Sequence, residues 1–234
     1  MLLKLVKGVM RLIRWVLSLS VTLVLIVIGI YIYARYIEPE LLIVKEQVVT
    51  TQSISLSKQP LKIVQFSDVH LGLGFTNNHL NKVVERINKL EPDFIIFTGD
   101  LIDDNKEFTQ VEETAAILKK LKATYGKFAV YGNHDHGGNG TKRYAKILTA
   151  SDFHLLVNES EWITLENGQR IHLIGIDDKL LGKVDIDKAM KGIQKSAYNI
   201  FISHAPDVAD EVLSYPIDLQ LSGHSHVDKY AFLL

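Results

Sequence analysis

An α/β fold is predicted by three features of this chain. Short β-branched runs read as strands, apolar residues at 3.6-residue spacing lie between several of them, and an Asn-Gly pair joins two strand-like segments. These elements fill the chain from about residue 41 onward. A charge-free aliphatic segment of a different kind precedes them.

Lys4, Lys7, Arg11 and Arg14 make residues 1–14 basic, and no charged residue occurs from Trp15 to Ala34. Twenty helical residues span about 30 Å, the hydrocarbon thickness of a bilayer. Cations before the run, with Glu38 and Glu40 after it, predict a single-pass signal anchor over 15–34. The N-terminus is then cytoplasmic, and everything beyond residue 35 faces outward from the cell membrane. The run exceeds the apolar stretch of a cleaved signal peptide, and no Ala-x-Ala site follows it. Glu38-Pro39-Glu40 reads as a turn in a short tether, 35–40, which holds the domain over 41–234 close to the membrane surface.

Within that domain, Val, Ile and Thr mixed with polar residues over 41–56 suit an exposed edge strand. The run 61–66 is the next strand. Asn78 is expected to cap a helix carrying Leu80, Val83, Val84, Ile87 and Leu90. Strand 93–98 follows, and Thr109 with Glu112 predicts a capping box before Ala115, Leu118 and Leu121. Strand 127–131 comes next. Residues 161–176 read as a hairpin turning at Asn167-Gly168, and 185–193 as a weaker helix before strands 198–202 and 217–221.

Composition narrows the function. A net charge of −1 over 234 residues gives no polyanion-binding surface, so nucleic-acid binding is not expected. The chain has no cysteine, which removes disulfides, thiolate metal sites and cysteine nucleophiles together.

Five short motifs follow the strand-like runs in order. They are Asp68-Val69-His70, Gly99-Asp100, Gly132-Asn133-His134-Asp135, Ser203-His204 and Gly223-His224-Ser225-His226. Strand ends would bring these Asp, Asn and His side chains to one sheet edge, where α/β proteins place their sites. Asp68 and His70 alternate about Val69, so an extended backbone would project both the same way.

Residues 60–226 resemble the calcineurin-like metallophosphoesterases, whose signature is this ordered set. The resemblance implies two packed mixed sheets flanked by helices, here preceded by one transmembrane helix. It also implies hydrolysis of a phosphomonoester or phosphodiester at a dinuclear centre. Two divalent cations about 3.5–4 Å apart neutralise phosphoryl charge and acidify a water, and a shared carboxylate is their natural bridge. Carried onto matching positions, Asp68, His70, Asp100 and His226 would hold one ion, and Asp100, Asn133, His204 and His224 the other. Oxygen and imidazole donors suit Mn, Fe or Zn. His134 would serve the leaving-group oxygen as general acid, and Asp135 would orient and charge it. The site's expected closeness to the bilayer favours a lipid- or cell-envelope-linked phosphoester.

The other histidines, His79, His154 and His172, suit ordinary surface or core roles, and His136 suits either the pocket or an exposed loop. Asp103 and the pair Asp177-Asp178 are candidate supports for the ligands. After His226 the family continues with Gly-Gly-Gln and further strands, whereas eight residues follow here. The domain therefore reads as C-terminally incomplete, with an unpaired sheet edge. The alternative function is a truncated, catalytically weak or inactive homologue that binds metal or a partner without turnover.

Overall fold

The computed structural model describes residues 2–37, 41–51, 60–72, 74–225 and 231–233. The expected turn at Glu38-Pro39-Glu40, residues 52–56 of the first strand-like segment, and His226 lie outside the described residues. The chain divides into two units, Met1–Leu42 and Ile43–Leu234.

Residues 2–37 of the first unit form one helix. It runs as α1 over Leu2–Ile32 and continues as a π-helical turn over Tyr33–Ile37. Leu2–Ile37 is long and apolar enough to cross a membrane. At 1.5 Å per residue it is roughly 54 Å long, so the helix outruns the charge-free segment and includes the basic residues at its start. Ser20 and Thr22 donate their hydroxyls to the carbonyls of Val16 and Ser18, both at 2.9 Å, so these polar groups are satisfied inside the helix.

The second unit contains, in chain order, β1 (Val44–Glu46), β2 (Ile63–Phe66), α2 (Asn77–Asn88), β3 (Phe94–Phe97), α3 (Val111–Leu118), β4 (Lys127–Ala129), α4 (Asn133–His136) and α5 (Thr141–Ala150). There follow β5 (His154–Leu155), β6 (Glu159–Thr164), β7 (Arg170–Gly175), α6 (Ile186–Ala189), β8 (Tyr198–Ser203), β9 (Leu219–Ser222) and β10 (Ala231–Leu233). One sheet has the order β1-β10-β2-β3-β4-β5 and the other β6-β7-β8-β9. Both are mixed. β2, β3, β4 and β5 run parallel, as do β7, β8 and β9, while β6 and β7 form the antiparallel hairpin.

Burial explains the layers. Every residue of β2 and β3 is buried, as expected for parallel strands covered on both faces. Val64, Phe66, Ile95 and Phe97 meet Leu80, Val84 and Ile87 of α2, Leu118 of α3 and Tyr144 of α5. Ile63, Phe94, Ile96 and Phe128 face the second sheet through Ile171, Leu173, Ile200 and Ile202. Beyond that sheet, Ile174 and Phe201 pack on Ala189, Met190, Val208 and Val212. The result is helix, sheet, sheet, helix.

Three helices differ from expectation, two in their starts and one in its length. Thr76, not Asn78, precedes α2; its N–H donates to His79 Nδ1 at 3.0 Å, so that histidine closes the first turn. α3 begins after Gln110 and uses no Thr109–Glu112 box; Thr114 instead donates its hydroxyl to Asn77 Oδ1 at 3.0 Å in the interior. α6 is only a turn, capped by Asp185 accepting from Lys188 N–H at 3.0 Å. At the tail, β10 pairs with both β1 and β2, so that part of the first sheet is covered. β9 ends the second sheet among the described residues.

Candidate metal centre

The first two motif loops do not continue as strands. Asp68, His70 and Asp100 have φ of 52°, 49° and 60°, and His224, from the last motif, has φ of 66°. A side chain in the left-handed region is uncommon, though Asp, Asn and His tolerate it better than most, and such strain clusters at functional sites. The expected alternation of Asp68 and His70 about an extended Val69 is therefore replaced by a tight turn. That turn is laced to the next one: Asp68 N–H donates to Gly99 O at 3.0 Å, His70 to Asp100 O at 3.1 Å and Leu71 to Leu101 O at 2.8 Å.

Side chains from five strand ends converge there. Asp68, Asp100 and His204 are buried, with ligand atoms within 4.8 Å of one another. His70 Nε2 lies 3.8 Å from Asp68 Oδ1 and 3.6 Å from Asp100 Oδ2. His204 Nδ1 donates to the Thr98 carbonyl at 2.7 Å, which fixes the tautomer and leaves Nε2 facing inward. That Nε2 sits 3.3 Å from Asp100 Oδ2, 3.2 Å from Asn133 Oδ1 and 3.2 Å from His224 Nδ1. Six of the seven residues expected to ligate metal thus come together.

The donor set fits a cation. A carboxylate oxygen, an amide oxygen and two imidazole nitrogens converge with lone pairs toward one another, an arrangement that needs a proton or a metal ion between them. Electrostatics agree. Burial alone would raise Asp68, but the neighbouring His70, Ser67 and His204 side chains and the His224 amide outweigh it, holding it at about 2. Burial likewise opposes ionisation of Asp100, and His204 beside it reverses the direction to below the usual carboxylate range. Burial would lower His204, yet Asp100 raises it to about 9. A field that retains a proton on a buried imidazole is one that attracts a cation.

Two glycines make room for these groups. A Cβ on Gly132 would lie 2.2 Å from Asp100 Oδ1 and 2.6 Å from Asp100 N. On Gly223 it would lie 2.1 Å from Ser67 Oγ and 2.7 Å from Asp68 Oδ2. Both approaches are closer than any side chain allows.

His134 stands at the rim, partly exposed and edge-on to the His70 ring at 4.6 Å. Its Nδ1 is 2.9 Å from the Asp103 carbonyl and 3.7 Å from Asp103 Oδ1. Donation from Nδ1 to that carbonyl leaves Nε2 for chemistry. Asp135 does not take the part expected for it. Its fully buried carboxylate accepts N–H groups from Gly132 at 2.8 Å, Asp100 at 2.8 Å and Leu101 at 3.0 Å, and the residue that orients His134 is Asp103. Burial and the Asp100 charge push Asp135 up to about 7 against those three donors. The reason is geometric: Asp135 is the third residue of a helical turn that starts at Gly132, where a carboxylate folds back on the turn's own amides.

Gln65 was not singled out by sequence. It is buried, and its Nε2 donates to Thr98 Oγ1 at 3.0 Å and to the Ser222 carbonyl at 2.8 Å, tying both sheets together beneath the site. An amide inside an otherwise apolar strand was the available signal. Among the remaining histidines, His136 Nε2 binds Asp177 at 2.7 Å, His154 pairs with Glu161 at 2.9 Å, and His172 stacks on Trp162 at 4.1 Å.

Comparison with known proteins gives the following. Residues 61–228 match the family model described as calcineurin-like phosphoesterase. The chain is 39% identical over 198 residues to the Bacillus subtilis metallophosphoesterase YkuE, covering 85% of this chain and 69% of that one. It is 30% identical over 232 residues to a Bos taurus transmembrane protein with metallophosphoesterase domain, covering 91% of this chain and 50% of the relative. It is 29% identical over 248 residues to the UDP-2,3-diacylglucosamine pyrophosphatase LpxG of Chlamydia trachomatis, covering 84% of this chain and 72% of that one.

Proposed function

Because this chain belongs to the calcineurin-like phosphoesterase family, whose members are metal-dependent phosphoric ester hydrolases, we propose that it is a membrane-anchored phosphoesterase with a dinuclear centre. The observation that carries this reading is the inward-facing set around His204 Nε2, in which Asp100, Asn133 and His224 all lie within 3.3 Å. Asp68, His70, Asp100 and His226 would hold one ion, and Asp100, Asn133, His204 and His224 the other. Asp100 Oδ2 lies between His70 and His204, which supports its role as the bridge. Bound divalent ions, Mn, Fe or Zn, would supply neutralisation of phosphoryl charge and acidification of a water.

The chain's own residues do the rest. Asp100 Oδ1 accepts the His134 N–H at 2.8 Å, so the carboxylate's second oxygen is turned inward and the His134 turn is fixed to it. Asp103 holds His134 with Nε2 outward, where it can deliver a proton to the departing oxygen. Metal content tests the assignment. The purified chain should bind two equivalents of Mn, Fe or Zn and hydrolyse bis(p-nitrophenyl) phosphate, with both lost on chelation. Asp100→Asn should bind less than one equivalent; full two-ion occupancy in that variant would refute the bridge.

The substrate class we propose is a lipid- or cell-envelope-linked phosphoester. The apolar N-terminal helix supports it, and a relative is a pyrophosphatase of a diacylated sugar nucleotide. The basic N-terminus supports a cytoplasmic start and an outward catalytic domain. Protease added to spheroplasts should then digest residues 41–234 without lysis. Protection until lysis reverses the orientation.

A further inference from the structure

The same sheet edge carries an apolar feature that the reaction above does not use. β7, β8 and β9 are parallel, so the turn leaving β7 opens on the edge where His204 follows β8 and His224 follows β9. This turn displays Leu180 and Leu181, 56% and 59% exposed. One exposed leucine is ordinary. Here two adjacent ones stand on a backbone that is fixed from below.

Asp178, fully buried, accepts the N–H of Leu180 at 3.0 Å and of Leu181 at 2.7 Å. Buried Asp177 accepts the N–H of Lys183 at 2.8 Å, and Gly182 N–H closes the turn on the Asp178 carbonyl at 3.0 Å. A Cβ on Gly182 would lie 2.6 Å from the Asp177 carboxylate carbon, so the turn has no slack. Asp177 Oδ1 also meets His136 Nε2 at 2.7 Å, which ties the turn to α4 and therefore to Asn133 and His134. Lys179 is engaged by Glu211 at 2.5 Å. What the turn presents outward is hydrocarbon surface, on the sheet edge that carries His204 and His224 and on a backbone bonded to α4 through Asp177 and His136.

We propose that Leu180 and Leu181 are specificity-determining residues that receive the alkyl chain of the phosphoester substrate while its phosphoryl group occupies the carboxylate and imidazole cluster. This rests on the phosphoesterase reading and gives its lipid-linked substrate class a physical contact. Each methylene fully withdrawn from water favours binding by up to about fourfold, and a chain lying on one face of two leucines gains less per carbon. The sum over an octyl chain is still about tenfold.

The test uses p-nitrophenyl alkyl phosphates, with methyl, butyl and octyl chains and one leaving group, on the full chain in nanodiscs. In the native protein kcat/KM should rise about tenfold from methyl to octyl. In Leu180→Ser with Leu181→Ser the rise should flatten while the methyl ester is hydrolysed at the native rate and the melting temperature holds. Comparing two proteins in identical discs cancels partitioning of the longer esters. No chain-length dependence, or one that persists in the variant, overturns the proposal. So does an equal loss on methyl and octyl esters, which would place the leucines in folding or bilayer docking. Calorimetric binding of methyl and octyl phosphate provides an arm independent of turnover. If no ester is hydrolysed, the phosphoesterase reading fails, and a preference for octyl phosphate that the variant abolishes still supports the alkyl contact.

Discussion

The two sheets furnish the candidate centre with different halves. The ends of β2, β3 and β4 bring Asp68, His70, Asp100, Asn133 and His134, including both carboxylates, whereas β8 and β9 bring imidazoles alone, His204 and His224. The acidic half is over-determined. Asp135 binds three amides from two turns, the turn at Asp68 to Leu71 is laced to the turn at Gly99 to Leu101, and Asp100 Oδ1 is pinned by the His134 amide. The imidazole half depends on single bonds: Thr98 O to His204, Asp68 Oδ2 to the His224 amide and Gly223 N–H to His204 O. Repulsive carboxylates must be held together by the backbone, while imidazoles beside them are drawn in by the carboxylate charge and need fewer backbone bonds.

Four substitutions would break or sharpen this contrast. The largest effect is expected for His134→Gln, which lies in the rigid half yet should keep both ions. Its rate should fall by roughly 10²–10⁴, less for a nitrophenolate leaving group than for an alkoxide. Equal losses for both leaving groups would exclude proton delivery. Gly132→Ala forces a Cβ against the backbone nitrogen of Asp100, which cannot rotate away. Displacement of the carboxylate by about 1 Å should cost on the order of 10²-fold in rate, together with metal content measured by plasma emission.

Asp135→Asn replaces one carboxylate oxygen with an NH₂ that faces amide donors. It should lower stability by about 2 kcal/mol, read as a shift in urea midpoint, with a smaller effect on turnover than either change above. An unchanged midpoint would show that the three amides do not need the charge. Gly223→Ala should be mildest. Its close contacts are the Ser67 hydroxyl and the tip of Asp68, side chains that can rotate, so a rate loss below about tenfold is expected. A Gly223→Ala defect matching that of Gly132→Ala would erase the distinction between the halves.

Much of this molecule was legible before its coordinates. Buried parallel strands such as Phe94–Phe97 and the hairpin at Asn167-Gly168 carry their own pattern, because apolar runs and turn chemistry are local properties. The seven candidate ligands were legible as an ordered set, and six of them converge among the described residues. The turns were less so. Nothing in Asp68-Val69-His70 says that both flanking residues adopt left-handed φ, since that depends on hydrogen bonds to Gly99 and Asp100 thirty residues away. Asp135 adjoins His134 in sequence but not in function, since its carboxylate turns away to the amides of Gly132, Asp100 and Leu101. Its position three residues after a glycine at the start of a turn pointed instead to the amides. The Thr76–His79 closure was missed for a related reason: histidine is an unusual partner in a capping box.

The reach of the bonds also sets an order of events during synthesis. Asp100 meets the amide of His134 and Asp135 meets the amide of Asp100 across 34 and 35 positions, whereas Asp68 meets the amide of His224 across 156. The carboxylate half can therefore assemble while the imidazole half is still being made, an interval on the order of ten seconds at ribosomal rates. That half already holds both carboxylates, Asn133 and the His70 imidazole. The two halves are thus separated in the order of synthesis, with the acidic turns made before the segment that carries His204 and His224.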